Sequence, residues 1–235
     1  MSNINQQKIH QHSGWLIPLI FGAAVVLLSG LFLGWYLRPG PRPPAAPTGQ
    51  SNIVELTVRG TAFAIPANYI QSPAARAGGD QTSLTLAALY PSWRGYSDSD
   101  ANLFRENNAD SPVIRINLRT DASNFDAKTR LLRVYKPYVV NPDGAAGPFA
   151  LTQYAFRPNS GYERNDLFAG ESAAGLILLL CERPAGDLSS PNCLAIDQPL
   201  ERGLNVSYRF KRAYLARWRE IDNGVHALMR TFERR

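Results

Sequence analysis

Residues 14–37 read GWLIPLIFGAAVVLLSGLFLGWYL without one charged side chain, and no other feature so narrows what the chain can become. At about 1.5 Å per residue this run makes a helix of about 36 Å, enough to cross a hydrocarbon layer of about 30 Å with some tilt. A cleaved signal peptide carries a shorter apolar segment followed by a small-residue cleavage site. Here the run ends in Trp35, Tyr36, Leu37, Arg38 and Pro39, and the small residues beyond lie among prolines. The expectation is therefore a retained transmembrane helix that contacts the lipid bilayer over 14–37. Trp15 at one end, with Trp35 and Tyr36 at the other, matches the two headgroup levels, where an amphipathic ring is half wet. Gly30 and Gly34 form a G-x-x-x-G spacing through which two copies could pair as a homodimer.

The flanks hardly decide the orientation, since Lys8 lies on one side and Arg38 and Arg42 on the other. Cys181 and Cys193 decide it. They flank a turn-rich stretch between two apolar runs, the pattern of a disulfide across a hairpin, and such a bond persists in oxidising compartments. The alternative is a pair of unpaired buried thiols. Taken as a disulfide, the pair puts the N-terminus inside, the helix in a bacterial inner membrane and the remainder in the periplasm.

These readings divide the chain into a polar tail (1–13), the anchor helix (14–37), a stalk (38–52) and one soluble domain (53–235). Prolines at 39, 41, 43, 44 and 47 favour an extended, semi-rigid stalk. The net charge of +6 is less suggestive than it looks. All 19 acidic residues and all but three of the 25 basic ones lie beyond residue 52, so the domain carries only half of that excess. With no basic run interleaved with exposed aromatics, this argues against a nucleic-acid partner.

Within 53–235 the hydrophobic period is mostly two. Segments 53–58, 61–66, 82–89, 149–156 and 173–183 read as strands, and in VIRINLRT Ile114, Ile116 and Leu118 alternate with Arg115, Asn117 and Arg119. In GLNVSYRFK, Leu204, Val206, Tyr208 and Phe210 alternate with Asn205, Ser207, Arg209 and Lys211. A run of strands with few helices between them implies an antiparallel sheet. The spacing changes to three and four over Tyr214, Trp218, Ile221, Val225, Leu228 and Phe232, which predicts a long C-terminal helix with one apolar stripe. Gly224 interrupts it and marks a bend or a close approach. A shorter helix is expected over NFDAKTRLLRVY, capped by Ser123 or Asn124, and a turn or two over DSDANLFREN with a cap at Asp98 or Ser99. The fold class is α+β: an apolar N-terminal helix, then a mainly antiparallel sheet with the long helix packed on one face.

The chemical inventory is thin. His10 and His12 lie in the polar tail, and His226 flanks the helical stripe, where a partly buried structural role is expected. No serine-nucleophile, zinc-protease, P-loop or dinucleotide motif occurs. Asp98, Asp100 and Asn102 match the start of a calcium loop, but Leu103 and Ala109 stand where its glycine and glutamate belong. No catalytic residue, metal ligand or cofactor is assigned. Asp121, Asp126, Glu163 and Asp166 are the carboxylates that a hydrolase would draw on. The segment YPSWRGY is different, because Tyr90, Trp93, Arg94 and Tyr96 are residue types that interfaces favour, on a loop. Its alternative is that Trp93 folds back to plug the core. The functional expectation is a non-catalytic binding module for a protein or cell-wall partner, or as a variant an accessory subunit of a membrane complex; the alternative is an anchored periplasmic hydrolase using carboxylates.

Overall fold

The computed structural model describes residues 16–37, 47–119, 125–186, 188–200 and 203–234. It divides into two compact units, Met1–Pro44 and Ala45–Arg235. In the first, helix α1 (Leu16–Tyr36) contains one stretch, Ile17–Tyr36, long and apolar enough to cross a membrane, and none of it is buried against protein. Trp35 and Tyr36 are both exposed at its end, while Trp15, His10 and His12 lie outside the described residues. A Cβ added at Gly30 or Gly34 would meet nothing within 4 Å.

The second unit is built on two sheets. Strands β1 (Ile53–Val58), β2 (Thr61–Pro66) and β3 (Gly79–Gln81) form the small one, with β1 in the middle. The large sheet adds β4 (Ser83–Leu89), β5 (Val113–Arg119), β6 (Ala145–Ala146), β7 (Thr152–Ala155), β8 (Asn165–Ser172), β9 (Gly175–Glu182), β10 (Asn192–Pro199) and β11 (Asn205–Lys211). Their order is β4-β5-β11-β10-β9-β8-β7-β6, and every neighbouring pair is antiparallel.

Because side chains alternate along a strand, β8 to β10 feed two cores. Phe168, Ile177, Leu179 and Ala195 face the main one, together with helix α4 (Trp218–Phe232) and the small sheet. Leu167, Ala169, Leu178 and Ile196 face a second core. That second core is closed by the short helix α3 (Ala127–Arg130) and the wider turn that follows it, through Leu131 and Tyr135. The apolar stripe of α4 is buried at Trp218, Ile221, Val225, Leu228 and Phe232, so the long helix does pack on one face of the large sheet. After α4 the chain returns to the small sheet: Arg234 donates its backbone N–H to Ala62 O at 2.9 Å, continuing the edge of β2.

Several local expectations change for physical reasons. The long helix begins at Trp218, and Tyr214 lies in a 3-10 turn that precedes it. The α3 cap is Asp126, whose carboxylate accepts from Thr129 N at 2.6 Å; Ser123 and Asn124 lie outside the described residues. The turn over 98–100 leads into helix α2 (Ala101–Arg105), and neither Asp98 nor Ser99 supplies a side-chain cap. Segment 149–156 is a strand only from Thr152, because Phe149 and Ala150 turn with φ of 58° and 59°. On β11 the polar side is not fully solvated. Lys211 is buried, donating to Asn107 Oδ1 at 2.6 Å and Ser190 Oγ at 2.7 Å.

Cys181 and Cys193 stand directly opposite on β9 and β10 and form the disulfide. Asp166 occupies the next strand on the same rung. Burial pushes the pKa of Asp166 up, but hydrogen bonds from Arg212 Nη2 at 2.7 Å and Arg183 Nε at 2.8 Å outweigh it and hold the carboxyl below its ordinary value.

Candidate functional site

The loop after β4 begins with a cis Tyr90–Pro91 bond and is fastened from below. Tyr69 donates its hydroxyl to Trp93 O at 3.0 Å, and Asn68 and Tyr96 exchange two bonds, each 3.0 Å. Trp93 Nα donates to Leu89 O and Leu89 Nα to Arg94 O, closing a tight turn in which Trp93 takes a φ of 56°. The loop is thus a shaped projection rather than a loose connection.

Its four candidate side chains separate. Trp93 turns inward and lies on α4 over Gly224, where an added Cβ would come within 2.0 Å of Trp93 Cζ2. Gly224 is therefore a close approach, and α4 runs unbroken through it. Tyr90 is half-buried, with its ring edge-on to Tyr214 and its hydroxyl donating to Glu220 Oε2 at 2.7 Å. Tyr96 is half-buried against Phe104. Arg94 is exposed, 3.5 Å from Asp100.

Through Glu220 the loop continues into a neighbouring surface. Arg217 Nη1 donates to Glu220 Oε1 at 2.8 Å, so both carboxylate oxygens are occupied. Those two bonds, from Tyr90 first and then Arg217, lower the Glu220 pKa. Beside it lies a cleft of about 360 Å³ lined by Phe149, Ala150, Ala216, Arg217, Trp218, Arg219 and Glu220. Trp218 forms its floor: the indole donates to Phe149 O at 3.2 Å, and Gly170 on β8 admits the ring, since a Cβ there would be 3.0 Å from Cη2. The Arg219 guanidinium lies 4.5 Å from the Trp218 ring centroid.

Phe149 and Ala150 sit consecutively in the left-handed region, which costs an L-residue about 1–2 kcal/mol each. The result is a phenyl ring turned half into solvent, 50% exposed. Among the described residues, three of the six non-glycine residues with positive φ lie in this loop and cleft: Trp93, Phe149 and Ala150. Strain held in place by surrounding bonds is a mark of functional surfaces. The sequence reading missed Phe149, Arg217, Arg219 and Glu220. The available signals were GPFA, a turn inside an apparent strand, and the Arg-Trp-Arg triplet.

The other polar clusters are mostly paired internally, although His226 Nε2 and Asp222 Oδ2 are buried without a hydrogen-bond partner. Asp197, at a bulge in β10, accepts from Arg119 at 2.9 Å and Arg130 at 3.2 Å. His226 Nε2 lies 3.7 Å from Asp222 Oδ1, which also accepts from Tyr208 Oη at 2.7 Å. Burial pushes the His226 pKa down against the pull of Asp222, so the imidazole is a neutral core group. Asp126 caps α3, Asp166 is held by two arginines, and Asp121 lies outside the described residues. Among the described residues no group of three or more His, Cys, Asp or Glu side chains could hold a metal ion.

No family model matches the chain, and no curated protein does. Among solved structures, an immunity protein of the Stenotrophomonas maltophilia type IV secretion system has a similar fold, with a TM-score of 0.54 and 17% identity over 79% of this chain and 94% of that one. At that identity the likeness is one of fold.

Proposed function

We propose that the chain is a membrane-anchored binding protein of the bacterial envelope. In this reading residues 14–37 span the inner membrane, 38–52 form a stalk, and 53–235 lie in the periplasm and hold a partner protein without catalysing a reaction. The observation that carries it is the contrast in how polar groups are used. Asp126, Asp166 and Asp197 are engaged in structural bonds, whereas Arg94 on the loop and Arg217, Arg219 and Phe149 at the cleft are exposed, with donors or apolar surface to spare. Interfaces favour such aromatic and arginine side chains.

The shared fold with an immunity protein of a secretion system supports a protein partner over a cell-wall glycan, and a role in which the chain occupies, and so silences, a protein that reaches the periplasm. The disulfide supports an oxidising compartment. A carboxylate hydrolase is less favoured because Asp126 and Asp166 already serve a cap and an ion-pair cluster.

Two measurements test this. Mass tagging of thiols in intact cells should leave Cys181 and Cys193 unlabelled until reductant is added; free labelling beforehand refutes the periplasmic placement. A benzophenone side chain placed at position 94 or 149 of the full chain in its native cells should yield a discrete protein adduct. No adduct from either position refutes the binding surface.

A further inference from the structure

We infer that the cleft between Phe149 and Trp218 receives a partner segment in which an apolar side chain is flanked by carboxylates. The inference rests on the binding reading above and specifies its chemistry. The apolar side of the cleft is the exposed Phe149 ring with Ala150 and Ala216, over a Trp218 indole that is itself buried. Its rim is cationic. Glu220 is the one acidic residue there, and Tyr90 and Arg217 already occupy its two oxygens. Arg217 is left with further N–H donors, because a guanidinium carries five.

Arg219 has a stronger claim on a carboxylate. It is exposed, stacks on Trp218 and has no carboxylate partner among the described ion pairs. A guanidinium held over an indole keeps its N–H donors available for the planar, two-bond recognition of a carboxylate. Arg94, exposed on the loop that Tyr90 ties to Glu220, is 3.5 Å from Asp100 and adds a further cation nearby in sequence to that tie. An apolar side chain could enter the cleft of about 360 Å³ while neighbouring Asp or Glu side chains reach the arginines. A segment bearing lysine or arginine would meet like charge, the usual means by which an interface rejects wrong partners.

The test uses the full-length protein in its native membrane, with benzophenone in place of Phe149. Three chains are compared: one otherwise unchanged, one with Arg219→Glu and one with Arg219→Lys. The expected attachment point lies within a few residues of Asp or Glu in the partner, and Arg219→Glu lowers the adduct yield by about tenfold. Arg219→Lys is expected to give an intermediate yield, because the charge remains but the planar two-bond fork is lost. In isolated membranes the yield should fall as salt rises. Arg219→Ala with an unchanged thermal midpoint separates lost binding from lost folding. An adduct that survives Arg219→Glu undiminished, or attaches among basic or uncharged residues, overturns the acidic occupant and leaves the binding protein standing. Attachment to a lipid or glycan overturns it as well. Absence of any adduct from positions 94 and 149 fails the binding reading first.

Discussion

Arg212 and Arg219 belong to one short stretch of chain yet to two different regions. Arg212, 21% exposed, donates to Asp166 at 2.7 Å and to Glu182 O at 2.8 Å, beside the disulfide rung that runs from Asp166 through Cys181 to Cys193. Arg219 lies over an indole and faces solvent. The first arginine is part of the frame, because its acceptors are inside the molecule. The second turns its donors to solvent, where water meets them unless a partner supplies a carboxylate. What distinguishes a structural cation from a recognition cation here is the location of the matching oxygen.

If the face binds as proposed, the frame should be costly to break without affecting binding, and the aromatic face cheap to alter and decisive for it. The largest effect is expected on replacing Cys181 and Cys193 together by alanine. Opening a loop with a sequence separation of 12 should lower stability by about 3 kcal/mol in urea unfolding, without changing the adduct yield from position 149 at a temperature where the protein stays folded.

Asp166→Asn should cost about 2–3 kcal/mol, since it leaves two arginines short of a buried acceptor. Its pH dependence follows from the lowered pKa. The folded carboxyl binds its proton less readily than the unfolded one, so the contribution is present above the unfolded value and is lost as pH falls through the folded one. Denaturation curves of the native chain and the Asn variant should therefore converge in acid. Curves that stay parallel would remove Asp166 from the frame.

Gly224→Ala separates two opposed effects. Helix propensity alone would gain about 1 kcal/mol. The new methyl would also displace Trp93 from a 2.0 Å approach, and overpacking of this kind costs about 1–3 kcal/mol. A net loss of about 1 kcal/mol is expected, with red-shifted tryptophan emission and a weaker adduct from position 94. A net gain would show that Trp93 does not need its place on α4. The smallest change in stability belongs to Arg219→Ala, at most about 0.5 kcal/mol by thermal unfolding, as for other exposed positions, yet this variant should lose most of the adduct from position 149. If it destabilises as much as Asp166→Asn, the distinction between the two regions fails.

Much of the frame was legible in the sequence, because burial leaves a period. Ile114, Ile116 and Leu118 alternate, Ile221, Val225 and Leu228 recur at helical spacing, and these residues are buried as the pattern requires. Strand β8 was not legible. It is buried on both faces, so NDLFAGES carries no alternation, and its Asp166 and Gly170 look like loop residues until Arg212 and Trp218 are set against them. The face was half legible. Tyr90, Trp93, Arg94 and Tyr96 announced themselves by type, but their separation into an inward tryptophan and an outward arginine depends on Gly224 and Asp100, far away in the chain or across the loop.

Residue order alone establishes what each segment must hide: a long apolar helix with no charge to solvate, strands with a dry side, a stripe on the last helix, two cysteines spaced for one bridge. Packing between elements settles which polar groups are left over. Hydrophobic burial depends on the order of residues along an element and can be read locally, whereas a free guanidinium is defined by acceptors it does not meet, and those lie on other strands and loops.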